Sequence, residues 1–116
     1  MRASVIWLAA CNIALLSGAG MAQQPAGDAV RGQHLFMADG CYECHGTVGQ
    51  GSVAGPRLAP DPLPADAIAH YIRQPASVMP PYVEKVLSDQ DVRDVQAYLA
   101  GIPRPPSVKD IPLLAP

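Results

Sequence analysis

The sequence is poor in the large side chains from which small domains build a core. Its 116 residues include one Phe, one Trp and four Tyr, and the single Trp is Trp7, close to the N-terminus. A chain of this length has room for one small domain, which is marginally stable on its own side chains. Domains of this size need a further stabilising element, such as a disulfide, a metal or a cofactor.

A basic excess is also absent. Eight Lys and Arg residues are balanced by ten Asp and Glu residues, which gives a formal net charge of −2. Proteins that bind nucleic acids carry clustered positive charge, so we expect no nucleic-acid partner. The sequence has neither an internal repeat nor the alternating pattern of strands, and this absence predicts an all-α domain.

The first 22 residues have the layout of a secretory signal peptide. Arg2 precedes a mostly apolar run that ends in the small residues around Gly20-Met21-Ala22, and we expect cleavage after Ala22. Two alternatives stay open. The apolar run is close to the ~20 residues that span a bilayer, so an uncleaved leader would act as a membrane anchor. Leu8-Ala9-Ala10-Cys11 also resembles a lipidation site.

This interpretation divides the chain into three parts: a signal peptide over 1–22, a folded domain over 23–103 and a Pro-rich tail over 104–116. We expect the tail to be extended, because proline favours the polyproline conformation. The predicted helices are 29–39, capped by Asp28; 65–73, ended by Pro75; and a last helix between Ser88 and Gly101. The first is expected to bury Val30, Leu35, Phe36 and Met37 on one side.

The most specific feature is Cys41-Tyr42-Glu43-Cys44-His45, which reads C-x-x-C-H, the pattern of covalent haem attachment. Two thiols three positions apart can each add to a vinyl group on one porphyrin edge, and the adjacent imidazole of His45 can bind the iron. The alternatives are a thioredoxin-like pair, which needs a βαβ surround, and a zinc site, which needs a fourth ligand. One haem c per chain would supply the apolar mass that the side chains lack.

A low-spin haem needs a second axial ligand, and the soft thioether of Met79 suits ferrous iron. Met79 lies in the proline-bounded segment 75–82, which we expect to be extended. The other candidates are His34, Met37 and His70. The Gly-rich and Pro-rich stretch 46–62 is predicted to be a loop wrapped around the site, and the carbonyls of Gly55-Pro56 are candidates to accept the free ring N–H of His45.

From about residue 27 to residue 101, the chain resembles a class I c-type cytochrome. The matching residues are Gly32, Phe36, the C-x-x-C-H motif, Gly55, Pro56, Met79, Pro80, Val95 and Tyr98. The resemblance implies a small cytochrome c fold, with three main helices and loops wrapped around one covalently bound haem. It further implies that Gly32 and Phe36 pack on Val95 and Tyr98, that Pro56 orients His45, and that Met79 binds iron.

Four polar residues stand where the resemblance would let them meet a haem propionate: Arg57, Tyr71, Arg73 and Tyr82. Ordinary solvent-exposed positions are the alternative for each of them. Segment 73–82 is similar to the cytochrome subunits or small partner cytochromes of bacterial periplasmic dehydrogenases, and the basic face of mitochondrial cytochrome c is missing.

The resemblance implies a periplasmic electron carrier rather than an enzyme. Its expected donor is a dehydrogenase or a quinol-oxidising complex, and its expected acceptor is another cytochrome or a terminal oxidase. One alternative is a fixed cytochrome subunit whose tail docks on a dehydrogenase. Another is a haem enzyme or gas sensor with an open iron site. Membrane contact is expected only if the leader stays uncleaved.

Overall fold

The computed structural model describes residues 26–114, so the expected leader, with Trp7 and Cys11, lies outside the described residues. Between residues 26 and 114 the regular structure is entirely helical, which confirms the predicted fold class. The elements are α1 (Ala29–Ala38), α2 (Cys41–His45), α3 (Ala65–Arg73), α4 (Asp89–Ala100) and a 3-10 helix (Val108–Asp110). In this part of the chain, none of the helices has the length and apolarity to cross a membrane.

Helix α1 begins and ends at strong local signals. The Asp28 carboxylate accepts the backbone N–H groups of Val30 and Arg31, which would otherwise lack partners in the first turn. At the other end Asp39 is the cap, and Gly40 adopts a left-handed conformation with φ of 75°. Because this residue reverses the chain direction, α2 follows at once and carries the C-x-x-C-H motif.

Helix α1 packs mainly on α4 through the glycine-aromatic face that the resemblance implied. A methyl group on Gly32 would overlap the carbonyl oxygen of Asp94, so the two backbones meet closely there. One turn later Phe36 is fully buried, and its ring lies 5.7 Å from that of Tyr98 at an angle of 56°. Val95 belongs to the same cluster. The predicted packing of the first helix on the last is therefore confirmed.

The predicted apolar side of α1 was too broad. Val30 is 80% exposed and Met37 is 39% exposed. An α-helix turns by about 100° per residue, so positions one and six away from Phe36 point well away from the face that α4 covers. Leu35 and Phe36 are the members of the predicted set that pack against the core.

Helices α3 and α4 enclose a second apolar cluster made of Ile72, Leu87 and Val92. Helix α3 has the predicted bounds. Helix α4 begins at the predicted capping box: the Ser88 hydroxyl accepts from the Asp91 N–H, and the Asp91 carboxylate accepts from the Ser88 N–H.

Two segments expected to be extended are not. Residues 76–79 bend, and the Tyr82 N–H donates to the Ile72 carbonyl at 2.8 Å, which folds the segment back along the end of α3. The tail contains the 3-10 helix Val108–Asp110, which Ser107 caps. Arg104, at the start of the tail, forms an ion pair with Asp61 at 2.5 Å. The prolines alone do not determine the conformation of these two segments, because helix caps and tertiary contacts bend the chain between the prolines.

Candidate functional site

A cavity of about 500 Å³ opens between the helices, the loop over 46–62 and the segment that follows α3. This volume lies within the range of about 300–1,000 Å³ that small-molecule and cofactor sites occupy. Its wall is mostly apolar and includes Phe36, Leu58, Ile68, Ile72, Leu87, Val92, Val95 and Leu99. Both core clusters therefore contribute to the wall, and the cavity lies at the centre of the domain.

The two predicted iron ligands line this same cavity. His45 is buried at the end of α2, and Met79 is half-buried in the loop that follows α3. The other three His and Met residues between positions 26 and 114 do not reach the wall: His34, Met37 and His70 are exposed on helix surfaces. The structure thus brings one imidazole and one thioether together and leaves the alternative ligands outside.

The His45 ring is held from its far side. Its Nδ1 lies 2.7 Å from the Pro56 carbonyl oxygen, which is a hydrogen-bond acceptor. When Nδ1 carries the proton, Nε2 keeps its lone pair for a metal, and the hydrogen bond fixes the plane of the ring. The acceptor is the carbonyl of Pro56, one of the two candidates from the sequence.

Gly55 allows this approach. A methyl group at this position would lie 2.9 Å from the Cys44 carbonyl oxygen and 3.1 Å from His45 Cε1, both closer than ordinary contact. The loop is further tied to α2 by the Ser52 hydroxyl, which donates to the Cys44 carbonyl at 2.6 Å. The Gly51 N–H donates to the His45 carbonyl at 2.7 Å. The loop over 46–62 therefore wraps around the motif helix, as predicted.

The two motif cysteines differ in exposure. Cys41 is half-buried and lines the cavity, whereas Cys44 is exposed. Burial raises the pKa of the Cys41 thiol to about 11, and the negative charge of Asp39 adds to the increase. Both thiols stand on the short helix α2, with Cys41 in the cavity wall and Cys44 at the surface.

Three of the four predicted propionate contacts, Arg57, Tyr71 and Tyr82, line the cavity. Arg73 does not line the cavity. Its guanidinium donates to the carbonyls of Tyr82 and Leu87, each at 2.7 Å, and forms an ion pair with Asp89. These partners hold the Arg73 side chain against the 82–89 segment.

The Tyr82 hydroxyl donates to the Asp39 carbonyl at 2.7 Å. Burial raises the pKa of this phenol above its usual value. Tyr82 thus contributes its ring to the cavity wall and uses its polar end to join the Met79 loop to the end of α1.

The sequence did not indicate a role for Asp61, which lines the cavity beside Arg57. Asp61 has a left-handed backbone with φ of 64°, which is uncommon for a residue other than glycine. The Arg31 ion pairs with Asp91 and Asp94, which join α1 to α4, were also missed. No local pattern marks these residues, since each acquires its partner through a contact distant in sequence.

The donor set and the wall fit a haem c. The cavity offers an imidazole and a thioether for the iron, the Cys41 thiol in its wall, and an apolar enclosure for the ring, while Cys44 is exposed on the same helix. The rival interpretations of the motif lack their partners in the described chain, where C-x-x-C has no neighbouring strand. No group of three or more His, Cys, Asp and Glu side chains within 26–114 is placed to hold a metal ion.

Comparison with known protein families gives the same assignment. A family model described as cytochrome c oxidase, cbb3-type, subunit III matches residues 27–99. The chain belongs to this family of c-type cytochromes. No curated protein and no solved structure gave a significant match. The resemblance to class I c-type cytochromes is confirmed, and membership indicates haem c as the cofactor and haem-based electron transfer as the function.

Proposed function

We propose that this cytochrome is a periplasmic carrier with one haem, exported by residues 1–22 and folded over residues 23–103. It transfers single electrons from a dehydrogenase or quinol-oxidising complex to another cytochrome or a terminal oxidase. The proposal depends mainly on one observation. Of the five His and Met residues in the described chain, only His45 and Met79 line the cavity. A site that offers two axial ligands favours electron transfer over chemistry at an open iron.

When bound, the haem supplies a reversible change between ferric and ferrous iron. The chain supplies the rigid surround. Pro56 holds the His45 ring through its 2.7 Å hydrogen bond, and the Tyr82 hydroxyl fastens the Met79 loop to α1. Because these contacts fix both ligands, little reorganisation needs to accompany electron transfer.

The cavity edge at the motif gives a place for partners to approach. Cys44 and Tyr42 are exposed there, so the edge to which a haem would be attached lies near the surface. Small, weak contact surfaces are typical of electron-transfer encounters. We therefore expect a transient complex at this edge.

The axial assignment can be tested by absorption spectroscopy of the holoprotein. Wild-type ferric protein should show the sulfur-to-iron charge-transfer band, and Met79→Ala should lose it. Met37→Ala is the matched control, because Met37 is an exposed methionine of α1 outside the cavity. An unchanged band in Met79→Ala would remove Met79 from the site. Carbon monoxide binding to the reduced wild type at low concentration would instead favour an enzyme or sensor with an open iron position.

A fixed subunit of a dehydrogenase or oxidase complex is the second candidate. The matching family is described as an oxidase subunit, and the tail carries apolar side chains at the surface, with Leu113 95% exposed. A stable complex that co-purifies with the full chain and is lost when residues 104–116 are deleted would support the subunit. A deletion variant that folds, binds haem and leaves co-purification unchanged would count against a docking tail.

A further inference from the structure

Asp39 holds an unusual carboxyl group at the junction between α1 and the motif helix. It caps the C-terminus of α1 and lies two residues before Cys41. Among side-chain nitrogen and oxygen atoms of residues 26–114, its Oδ2 alone is buried without a hydrogen-bond partner. Buried polar atoms are nearly always paired, so an unpaired carboxylate oxygen calls for an explanation.

Its neighbours do not neutralise its charge. The Tyr82 hydroxyl donates to the backbone carbonyl of Asp39 rather than to its carboxylate. The titratable groups that interact with it are His34 on α1, Cys41 on α2, Tyr82 on the Met79 loop and Asp91 on α4. The cation of α1, Arg31, is paired with Asp91 and Asp94.

The carboxylate acts electrostatically on the cavity wall. The charge of Asp39 contributes to the raised pKa values of both Cys41 and Tyr82, and both residues line the cavity. A change in charge inside the cavity must act on Asp39 to the same extent, since electrostatic coupling between two groups is reciprocal.

The protonated form of this carboxyl is favoured by its surroundings. Burial raises the pKa of Asp39, the negative charge of Asp91 raises it further, and His34 opposes them. Asp91 and Asp94 behave in the opposite way. A hydrogen bond from the Ser88 hydroxyl lowers the pKa of Asp91, whereas burial opposes ionisation of Asp94 but is outweighed by bonds from Asp28, Arg31 and Gln90.

We propose that Asp39 is a redox-linked proton-binding site: its carboxylate takes up one proton from solvent when the domain accepts one electron. The step is balanced, because the redox donor supplies the electron, solvent supplies the proton, and the O–H bond forms on Asp39 as iron(III) becomes iron(II). Reduction removes one positive charge from the haem, so a nearby carboxylate loses stabilisation and binds a proton more tightly. This inference rests on the proposed haem-based electron transfer.

The test is the midpoint potential of the holoprotein as a function of pH. Wild type, Asp39→Asn and Asp66→Asn should be titrated between pH 4 and pH 9. Asparagine matches aspartate in shape, and the buried Asp39 Oδ2 has no hydrogen bond to lose, so the variant should fold. Asp66 is the control, an exposed carboxylate in the first turn of α3.

In wild type we expect the potential to fall as pH rises through the range in which Asp39 loses its proton. Asp39→Asn should match wild type at the acid end and lie above it at the alkaline end. A difference of threefold to tenfold in the ratio of reduced to oxidised protein corresponds to about 30 to 60 mV. Asp66→Asn should reproduce the wild-type curve.

An unchanged pH dependence in Asp39→Asn would overturn the proposal and assign the proton to another group, such as a haem propionate. A pH-independent potential in wild type would do the same. A second readout is the infrared difference between the two redox states, in which a protonated carboxyl band should be present in wild type and absent in Asp39→Asn. Loss of haem attachment or of a reversible one-electron couple would instead contradict the proposed function itself.

Discussion

Gly55 shows how much of the iron site depends on the absence of one methyl group. The loop that carries Pro56 must pass close to the end of α2 if the Pro56 carbonyl is to reach His45. A side chain at position 55 would enter the space between the Cys44 carbonyl and the His45 ring. The orientation of the His45 ring therefore depends on a glycine at position 55.

We expect Gly55→Ala to weaken the hydrogen bond from His45 to Pro56. The added Cβ would force the loop outward, at a cost of about 1–3 kcal/mol in the free energy of unfolding. A histidine with a weaker acceptor donates less charge to the iron, so the midpoint potential should rise. Thermal unfolding and potentiometry measure the two effects.

Gly101→Ala is the matched control, because a Cβ there would have no neighbour closer than 3.4 Å. Equal effects in the two variants would show that loss of a glycine, rather than its position beside His45, is responsible.

At the scale of residues, the sequence selected ligand candidates by the chemistry of single side chains. The motif and the soft thioether of Met79 pointed to residues that the structure places in one cavity. It gave no indication of the partners of Arg73, whose guanidinium donates to two carbonyls and to Asp89. The sequence shows that Arg73 lies a few positions before Met79. It does not show which carbonyl and carboxylate groups the fold brings within hydrogen-bond distance of the guanidinium.

At the scale of elements, the contact between α1 and α4 fixes the frame on which the cavity is built. It combines a close backbone approach at Gly32, the Phe36–Tyr98 ring pair and the ion pairs of Arg31. The close approach and the ring pair were expected from the resemblance to class I c-type cytochromes. The ionic component was not predicted, because Arg31 and its partners lie about sixty positions apart.

Gly32→Ala tests the close approach. Alanine favours an isolated helix by about 1 kcal/mol over glycine, but a methyl group here would overlap the Asp94 carbonyl. We expect the steric effect to dominate and the free energy of unfolding to fall by about 3 kcal/mol, near the upper end for overpacking. Denaturant titration measures the change, with the exposed position Gln33→Ala as the control. A stabilised Gly32→Ala variant would show that the helices can separate without cost.

The Arg31 cluster should make the domain sensitive to acid. The pKa values of Asp91 and Asp94 are lowered in the folded state, so their contribution to stability is present above the unfolded value of about 3.9 and is lost as pH falls below it. We expect Asp94→Asn to be less stable than wild type at pH 7 and to lose less stability between pH 5 and pH 2. Urea unfolding across that range gives the comparison, and parallel curves would contradict it.

For the whole molecule, the cavity and the core are nearly the same region. Eight hydrophobic residues between positions 26 and 114 are buried, and six of them also line the cavity: Phe36, Ile72, Leu87, Val92, Val95 and Leu99. The scarcity of aromatic residues suggested that a cofactor completes the core, and this distribution explains how. The residues that hold the helices together are the residues that would surround the haem.

We therefore expect the domain to depend on its cofactor for folding. The double variant Cys41→Ser and Cys44→Ser, which cannot form thioethers, should lose cooperative thermal unfolding and much of its helical circular dichroism. Wild-type protein with attached haem is the reference. A haem-free variant that unfolds cooperatively at the wild-type temperature would show that the apolar side chains suffice.

The unequal burial of the two motif cysteines bears on the order of events during biosynthesis. In the folded domain Cys44 is open to solvent, while Cys41 faces the cavity with a thiol whose pKa of about 11 leaves little thiolate. A haem offered to the finished fold would meet one sulfur at the surface and the other half-buried in the cavity wall. We therefore expect the thioether at Cys41 to form before the chain closes around the cavity, so slower closure would leave more time for attachment.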